Sequence, residues 1–164
     1  MWDSYCIGTG TEIVCGGDHI RIDAFTLITC KKLVLGDYVH IGPHCSISGP
    51  GTVYIGSYST LSHGVRIFTA SDDYEGEYLA GPMLPEGYTK PTVGDVTLEK
   101  GVVVGANSVI LPGIVIGHHS ALGALSLLKQ SIWPLEIWAG VPARFLKERN
   151  EAVLLLTQQL EEMK

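Results

Sequence analysis

The chain has few charged residues, and most of the charge that it carries is negative. Charged residues make up 17% of its 164 residues, and the formal net charge is -6. A nucleic-acid-binding protein needs a basic face for phosphate contacts, so this balance argues against nucleic acid as a partner. Hydrophobic residues make up 46% of the chain, which is too many for a disordered protein. The composition therefore predicts one folded domain.

Long apolar runs, a signal peptide and paired cysteines are also missing. No run is long enough to cross a bilayer, and Met1-Trp2-Asp3 does not open a signal peptide, so we expect a cytoplasmic protein that does not insert into membranes. No CxxC pair and no zinc-finger spacing occurs among the four cysteines Cys6, Cys15, Cys30 and Cys45. They are interpreted as reduced thiols. None is predicted to act as a nucleophile, because Cys45 occupies an inward corner.

Glycine is abundant, and it often follows an aliphatic residue that recurs every six positions. The recurrence is uninterrupted late in the chain, at Leu98, Val104, Ile110, Ile116, Leu122 and Leu128. An earlier run slips by two residues at Gly49-Pro50-Gly51 and contains Leu35, Ile41, Ile47, Ile55, Leu61 and Ile67. A ragged version of the same pattern precedes both runs, at Ile7, Ile13, Ile22 and Ile28.

A period of six excludes an α-helix, in which six residues rotate through more than one and a half turns. It is typical of a short strand followed by a tight turn, with the aliphatic side chain inward and glycine at the turn. Three such units close a triangular coil of about 18 residues, and stacked coils bury a continuous aliphatic ladder. A β-sandwich would instead alternate with a period of two. The sequence therefore predicts an all-β parallel β-helix, whose handedness the pattern does not define.

Two segments depart from the repeat. Residues 71–97 form an extended loop rich in acidic, aromatic and proline residues, and long excursions from a compact repeat are usually functional. Near the end of the chain, Asn150-Glu151 is predicted to cap a helix, and the apolar residues that follow have helical spacing. We therefore predict a β-helix domain over residues 1–149 and a short C-terminal α-helix over residues 150–164, packed on the coil or on a neighbour.

Residues 104–126 and the segment Ala139-Gly-Val-Pro-Ala-Arg144 resemble the hexapeptide-repeat acetyltransferases. The resemblance extends over roughly residues 35–149 and is nearest to the maltose/galactoside O-acetyltransferases and to the acetyltransferases of surface-polysaccharide synthesis. It implies a left-handed β-helix, a homotrimer with active sites in the clefts between subunits, and acetyl-CoA as the donor. It also implies a sugar or nucleotide-sugar acceptor and no metal.

The resemblance also assigns the donor site residue by residue. Ala106 and Ala124 would line the pantetheine arm of acetyl-CoA through backbone groups, and Ala106 stands where a serine is common in the family. Lys129, Arg144 and Lys147 fall near the nucleotide phosphates, with which cations pair well. Solvated surface charge is the alternative for Lys129 and Lys147.

The general base departs from the pattern of the sugar O-acetyltransferases. In a gapless reading of residues 55–72 against that family, its catalytic histidine falls on Asp72. An aspartate is a weak base unless it is desolvated or crowded, and Asp73 beside it would supply the crowding. His63, on an outward corner just before the loop, is the alternative base and is expected to face the same cleft. Because a neutral amine needs a base less than a hydroxyl does, both O- and N-acetylation remain open.

Other polar and aromatic residues are candidates for substrate contacts. Tyr74, Glu77 and Tyr88 in the loop suit a polyhydroxyl acceptor, with aromatic rings against the sugar face and carboxylates against its hydroxyls. His118 and His119 stand on a late turn, where we expect solvated side chains.

Two functions from other classes are also compatible with a β-helix. The γ-class carbonic anhydrases hold zinc with three histidines, and His40, His44 and His63 lie on neighbouring coils. His40 and His44 occupy different points of their repeats and are expected to diverge, whereas zinc needs converging nitrogens. The other alternative is a non-catalytic scaffold, which the missing family histidine suggests.

Overall fold

The computed structural model describes residues 6–163 and shows short strands wound into a coil. Met1-Trp2-Asp3 and the last residue of the predicted helix, Lys164, lie outside the described residues. The strands are β1 (Cys6–Ile7), β2 (Glu12–Cys15), β3 (Ile20–Ile22), β4 (Leu27–Leu35), β5 (Val39–Ile41), β6 (Ser46–Ile55), β7 (Thr60–Leu61), β8 (Arg66–Phe68), β9 (Ala70–Ser71), β10 (Thr92–Val93), β11 (Val96–Leu98), β12 (Val103–Val104), β13 (Val109–Ile110), β14 (Val115–Ile116), β15 (Ala121–Leu122), β16 (Leu127–Leu128), β17 (Glu136–Gly140) and β18 (Ala143–Glu148). The helix is α1 (Ala152–Glu162).

The strands form three faces, on each of which consecutive coils pair in parallel. The first face contains β3, β5, β7, β12, β15 and β17. The second contains β1, the first halves of β4 and β6, then β8, β13 and β16. The third contains β2, the second halves of β4 and β6, then β11 and β14. The chain turns a corner each time it passes from one face to the next. The first corner joins the first face to the second face, and the second corner joins the second face to the third. The third corner joins the third face back to the first face of the next coil.

The aliphatic residues of the two regular runs form the interior of the coil. All twelve are buried, with at most 2% of their surface exposed. Complete burial of such a side chain contributes about 1.5–3 kcal/mol, so the stacked ladder is the main source of stability. The ragged start is less well covered, since Ile7 is 42% exposed. The predicted left-handed parallel β-helix, with its extended loop and short C-terminal helix, is confirmed.

The corners stack as regularly as the faces. At the first corner, His44, Gly64, Asn107 and Leu125 have positive φ angles between 56° and 68°. The N–H of each donates to a carbonyl oxygen of the coil below, for example from Asn107 to His63 at 2.9 Å and from Leu125 to Ala106 at 2.8 Å. The left-handed conformation is unfavourable for a side-chain-bearing residue. The inter-coil hydrogen bond offsets that cost and holds the corners in register.

The loop is shorter than the predicted range of 71–97. Strand β9 pairs antiparallel with β10 and closes the neck of the loop, and Val96 is already buried in the third face. The excursion itself is therefore residues 72–91. It leaves and re-enters the coil at the second corner, because β8 precedes it on the second face and β11 follows it on the third.

The chain ends with a reversal and a helix. Strand β18 turns back antiparallel to β17, and α1 follows. The predicted cap is present in part, since Asn150 Oδ1 accepts the backbone N–H of Ala152 at 2.8 Å. Across residues 6–163, no helix is both long and apolar enough to span a membrane.

Polar contacts at the third corner hold α1 against the coil. His119 Nε2 lies 3.1 Å from Thr157 Oγ1, and Lys100 Nζ lies 2.7 Å from Glu161 Oε1. The hydroxyl of Thr157 donates to the carbonyl of Val153, so its oxygen accepts the Nε2–H of a neutral His119. The expectation that His119 is a solvated turn residue is wrong: it is 4% exposed, and it contacts α1.

The surroundings of His119 lower its pKa below the ordinary value of 6.5. The largest cause is burial, and the positive charges of His118, Lys100 and Arg149 act in the same direction, while Glu161 opposes them. The unfolded chain therefore binds a proton more readily than the folded one at this position. The associated stability is complete above about pH 6.5 and is lost as the pH falls from there towards the lowered pKa.

The buried ladder predicts that alanine substitutions at the two adjacent residues of β14 lower the free energy of unfolding by very different amounts. We expect Ile116→Ala to lower the free energy of unfolding by about 2–5 kcal/mol, because it leaves a cavity inside the coil. Val115→Ala is the matched control, since that side chain points outward and is 42% exposed. Denaturant unfolding of both variants measures the difference, and equal losses would contradict an interior ladder.

The buried histidine predicts a pH-dependent stability. The melting temperature of the wild type is expected to fall between about pH 8 and pH 5, in part because His119 must take up a proton. In His119→Gln the amide still donates to Thr157 but does not titrate, so that fall becomes smaller. Thermal melts of both proteins across this range test it, and identical pH profiles would exclude a role for His119.

Candidate functional site

A cleft of about 680 Å³ opens between the loop and the second corner. The loop forms one wall, and the coil forms the other through Leu111, Pro112 and Lys129. The remaining lining residues are Ser71, Asp72, Asp73, Tyr74, Glu75, Glu77, Tyr78, Lys90, Pro91 and Thr92. The cleft therefore exists because the chain leaves the repeat at this corner and folds back over it.

Several of the predicted site residues meet in this cleft. Asp72, Asp73, Tyr74, Glu77 and Lys129 all line it, although they come from two distant parts of the sequence. The predicted substrate residue Tyr88 does not line it. Its backbone closes the loop instead: its carbonyl accepts the N–H of Leu79 at 2.9 Å.

Asp72 presents a free carboxylate to the cleft. It directly follows β9, is exposed, and lines the wall next to Ser71. Within residues 6–163 its side chain makes no hydrogen bond and no ion pair. A carboxylate without a protein partner is available to a cationic or proton-donating group of a substrate.

Asp73 is engaged with the backbone of the loop. Oδ1 accepts the N–H groups of Glu75 at 2.7 Å and Gly76 at 3.3 Å, and Oδ2 accepts that of Tyr78 at 2.7 Å. These bonds, first that from Tyr78 and then that from Glu75, lower the pKa of Asp73. Its catalytic role stays a prediction, and these contacts disfavour it, because a stabilised carboxylate is a weaker base.

Tyr78 and Lys90 are among the cleft residues to which sequence reasoning gave no role. The ammonium of Lys90 lies 5.3 Å from the centre of the Tyr78 ring, so the two limbs of the loop touch through a cation–π contact. Both residues stand in the acidic and aromatic segment that was singled out as a whole. Only the folded loop shows which of its aromatic residues face inward.

His63 lies on a different corner from Asp72. It is exposed at the first corner, between β7 and β8, whereas Asp72 follows β8 and β9. The second face therefore separates the two side chains within one subunit, and His63 does not line the cleft under the loop. Their expected convergence does not occur within a single chain.

Ala106 and Ala124 lie above His63 on the first corner. Their backbone N–H groups donate to no acceptor in the described part of the chain, although both residues are accessible. The corner is braced from inside by Ser108 and Ser126, whose hydroxyls both donate to the carbonyl of Gly123 at 2.9 and 2.7 Å. Free N–H groups can donate to the amide carbonyls of a pantetheine arm, and the assignment of these two alanines to that arm stays a prediction.

The three predicted phosphate-binding cations are not together. Arg144 and Lys147 are exposed on β18, where Arg144 Nη1 donates to the carbonyl of Ala143 at 3.2 Å. Lys129 lies at the second corner, in the wall of the cleft under the loop. Within one subunit it therefore belongs with the loop residues rather than with Arg144.

The histidines and cysteines considered for other chemistry have separate structural contacts. His40 Nε2 lies 2.8 Å from Asp23 Oδ2, and the ring of His44 stacks on Phe25 with centroids 5.0 Å apart. Among residues 6–163, no group of three His, Cys, Asp or Glu side chains is placed to hold a metal ion. Cys45 is buried, and burial raises the pKa of its thiol, so it is a poor nucleophile.

Known proteins share this architecture and much of the sequence. No protein-family model matches the chain. It is 32% identical over 149 residues to the dTDP-4-amino-4,6-dideoxy-D-glucose acyltransferase of Escherichia coli, covering 90% of this chain and 78% of that protein. It is 29% identical to WbbJ of Escherichia coli strain K12, named for O-acetyl transfer in lipopolysaccharide biosynthesis, covering 88% of this chain and 73% of WbbJ.

Solved structures give the same result. The N-acyltransferase AntD from Bacillus cereus, in complex with dTDP and 3-hydroxybutyryl-CoA, superimposes with a TM-score of 0.86 at 30% identity, covering 97% of this chain and 87% of AntD. The chain therefore belongs to the hexapeptide-repeat acetyltransferase family. It is an acetyl-CoA-dependent acyltransferase of sugar or nucleotide-sugar acceptors, as its resemblance to that family implied.

The exposed cation of the Ala-Gly-Val-Pro-Ala-Arg segment predicts a donor-specific defect. We expect Arg144→Ala to raise the KM for acetyl-CoA about tenfold, since a charge-assisted bond to phosphate is worth roughly 1.5–3 kcal/mol. The acceptor KM should not change, because Arg144 lies outside the cleft. Initial rates at varied donor and acceptor concentrations separate the two constants, and a change confined to the acceptor KM would refute the assignment.

Proposed function

We propose that this enzyme transfers an acetyl group from acetyl-CoA to the amino group of a sugar linked to dTDP. The observation that carries the proposal is the free carboxylate of Asp72 in the cleft under the loop, at the position where the sugar O-acetyltransferases have a histidine. It favours the reaction on amines over the reaction on hydroxyls, the two that the sequence leaves open.

The charge of the cleft suits an amino sugar. Its walls contain four carboxylates, those of Asp72, Asp73, Glu75 and Glu77, against two ammonium groups. A negative excess attracts a cation, and a sugar amine enters as an ammonium ion. Of these carboxylates, Asp72 is unpartnered and adjoins the coil, so it is the one that we assign to the amine.

The role of Asp72 follows from the proton balance of the reaction. The ammonium must lose one proton before its nitrogen can attack, and Asp72 accepts it. Acetyl-CoA supplies the thioester carbonyl, where the C–N bond forms and the C–S bond breaks. The second amine proton leaves after attack and returns to the departing thiolate through solvent. Backbone N–H groups at the first corner would stabilise the developing oxyanion.

Two relatives support the acceptor. The Escherichia coli relative is named as a dTDP-4-amino-4,6-dideoxy-D-glucose acyltransferase, and an AntD variant was solved with that amino sugar. The AntD structures include substitutions of a serine and an aspartate ten residues apart. In this chain Ser62 and Asp72 have the same spacing, and Ser62 adjoins His63 on the first corner. We infer that Asp72 and Ser62 are the corresponding pair.

The separation of the corners implies that neighbouring subunits share the site. Ser62, His63 and the alanines of the donor site lie on the first corner, and Asp72 lies beyond the second face. We propose a homotrimer in which the first corner of one subunit meets the cleft of the next. Sedimentation equilibrium tests the stoichiometry. We also place the reaction in the cytoplasm, where it would supply acylated sugars for surface-polysaccharide synthesis.

A matched pair of acceptors tests the proposed reaction. With acetyl-CoA, thiol release should be at least a hundredfold faster with dTDP-4-amino-4,6-dideoxyglucose than with its 4-hydroxy counterpart, since hydroxyl attack depends on a stronger base. Preference for the hydroxyl would overturn N-acylation. If neither acceptor releases thiol and coenzyme A does not change the melting temperature, a non-catalytic scaffold is favoured. If the protein holds stoichiometric zinc and does not bind coenzyme A, a hydratase like the γ-class carbonic anhydrases is favoured.

Substitution of each candidate base completes that test. Asp72→Asn should lower kcat about a hundredfold and leave the KM for acetyl-CoA unchanged, because it removes only the proton acceptor. His63→Gln is the comparison, and its kcat should stay within a few-fold of wild type. The opposite ranking would make His63 the base.

A further inference from the structure

The loop that forms the cleft has almost no regular structure of its own. Between β9 and β10 it makes no strand or helix over residues 72–91. Its neck is closed by the pairing of β9 with β10, and its far limb by the bond from the N–H of Leu79 to the carbonyl of Tyr88. Neither of these contacts fixes the path of residues 72–78, which form most of the loop wall of the cleft, so a further interaction must do so.

The carboxylate of Asp73 organises that stretch. It accepts three backbone N–H groups, those of Glu75, Gly76 and Tyr78, over a span of only five residues. Gly76, at the middle of the span, has a φ of 90°, a conformation that side-chain-bearing residues rarely adopt. The carboxylate thus satisfies the donors of a tight turn that the backbone alone would leave open.

This turn connects the two residues on which the shape of the cleft depends. Asp72 is covalently adjacent to Asp73, so the turn that Asp73 closes fixes the backbone from which the Asp72 side chain extends. Tyr78, whose N–H makes one of the two shortest bonds, places its ring against the ammonium of Lys90 on the returning limb. The wall opposite Lys129 and Pro112 is therefore anchored through one side chain.

We propose that Asp73 is the positioning residue of the acceptor site, holding Asp72 and Tyr78 in place against the coil without itself touching the reacting atoms. This inference rests on the proposed function for the assignment of the cleft to the acceptor and for the role of Asp72. It replaces the expectation that Asp73 acts as a catalytic neighbour, because its oxygens are directed to backbone donors.

Kinetics of Asp73→Ala test the proposal. The variant should raise the acceptor KM about tenfold or more, because bonds to an ionised acceptor are lost and the wall is no longer held. The KM for acetyl-CoA should not change, since the donor residues lie on other elements. The shape of the kcat pH profile should also not change, because Asp73 is not the base. In Asp73→Asn, Oδ1 can still accept from Glu75, so the acceptor KM should be intermediate.

Two controls separate positioning from charge and from unfolding. Glu86→Gln removes one negative charge from the same loop outside the cleft, and its acceptor KM should match wild type. Amide hydrogen exchange should show faster exchange of Glu75 and Tyr78 in Asp73→Ala, with the amides of β13 and β16 unchanged.

Distinct outcomes would overturn the proposal or only the function on which it rests. If the acceptor KM of Asp73→Ala matches that of Glu86→Gln, Asp73 is not a positioning residue. If Asp73→Asn loses activity and one limb of the pH profile, as expected for Asp72→Asn, then Asp73 is itself the base. If Asp72→Asn is fully active while Asp73→Ala still raises the acceptor KM, the positioning role stands and the assigned base is wrong.

Discussion

Stacking of inward aliphatic side chains is the interaction on which the rest of this structure depends. Each coil leaves an apolar surface that only the next coil covers, so the faces, the corners and their spacing all follow from one repeated contact. Because the interior tolerates neither a gap nor an extra methylene, successive coils must keep register. That register places residues that are distant in sequence on the same corner, as with His63, Ala106 and Ala124.

Chemistry is located where the repeat turns or is interrupted. The faces present paired strands whose backbone groups are already bonded, so they offer little to a ligand. The first corner has free N–H groups, and the second corner admits a loop of acidic and aromatic residues. A rigid coil thus presents both a corner with free N–H groups and an open cleft, the two surfaces that we propose for the donor and the acceptor. We propose that the aspartate at the base of the loop distinguishes this chain from the sugar O-acetyltransferases.

The sequence-based predictions were accurate where a feature depends on neighbouring residues and failed where it depends on contacts between residues distant in sequence. Leu98 to Leu128 could be assigned to the interior because six-residue spacing is a local property of the chain. The loop could be singled out because it breaks that spacing, and Asp72 because the resemblance places the family's catalytic histidine there. Asp73 could not be assigned its role, since a carboxylate that accepts backbone N–H groups looks the same in sequence as a free one. His119 was misjudged because it contacts Thr157 of α1, which lies 38 residues later in the chain.

The sequence by itself determined the coil, its buried ladder, the position of the loop and the family. These depend on which side chains point inward, and a short period encodes that directly. Only the tertiary structure decided which corner each polar residue occupies, because that depends on the accumulated register, including the slip at Gly49-Pro50-Gly51 and the inserted loop. It therefore placed Lys129 in the cleft, separated His63 from Asp72, and turned Asp73 towards the backbone.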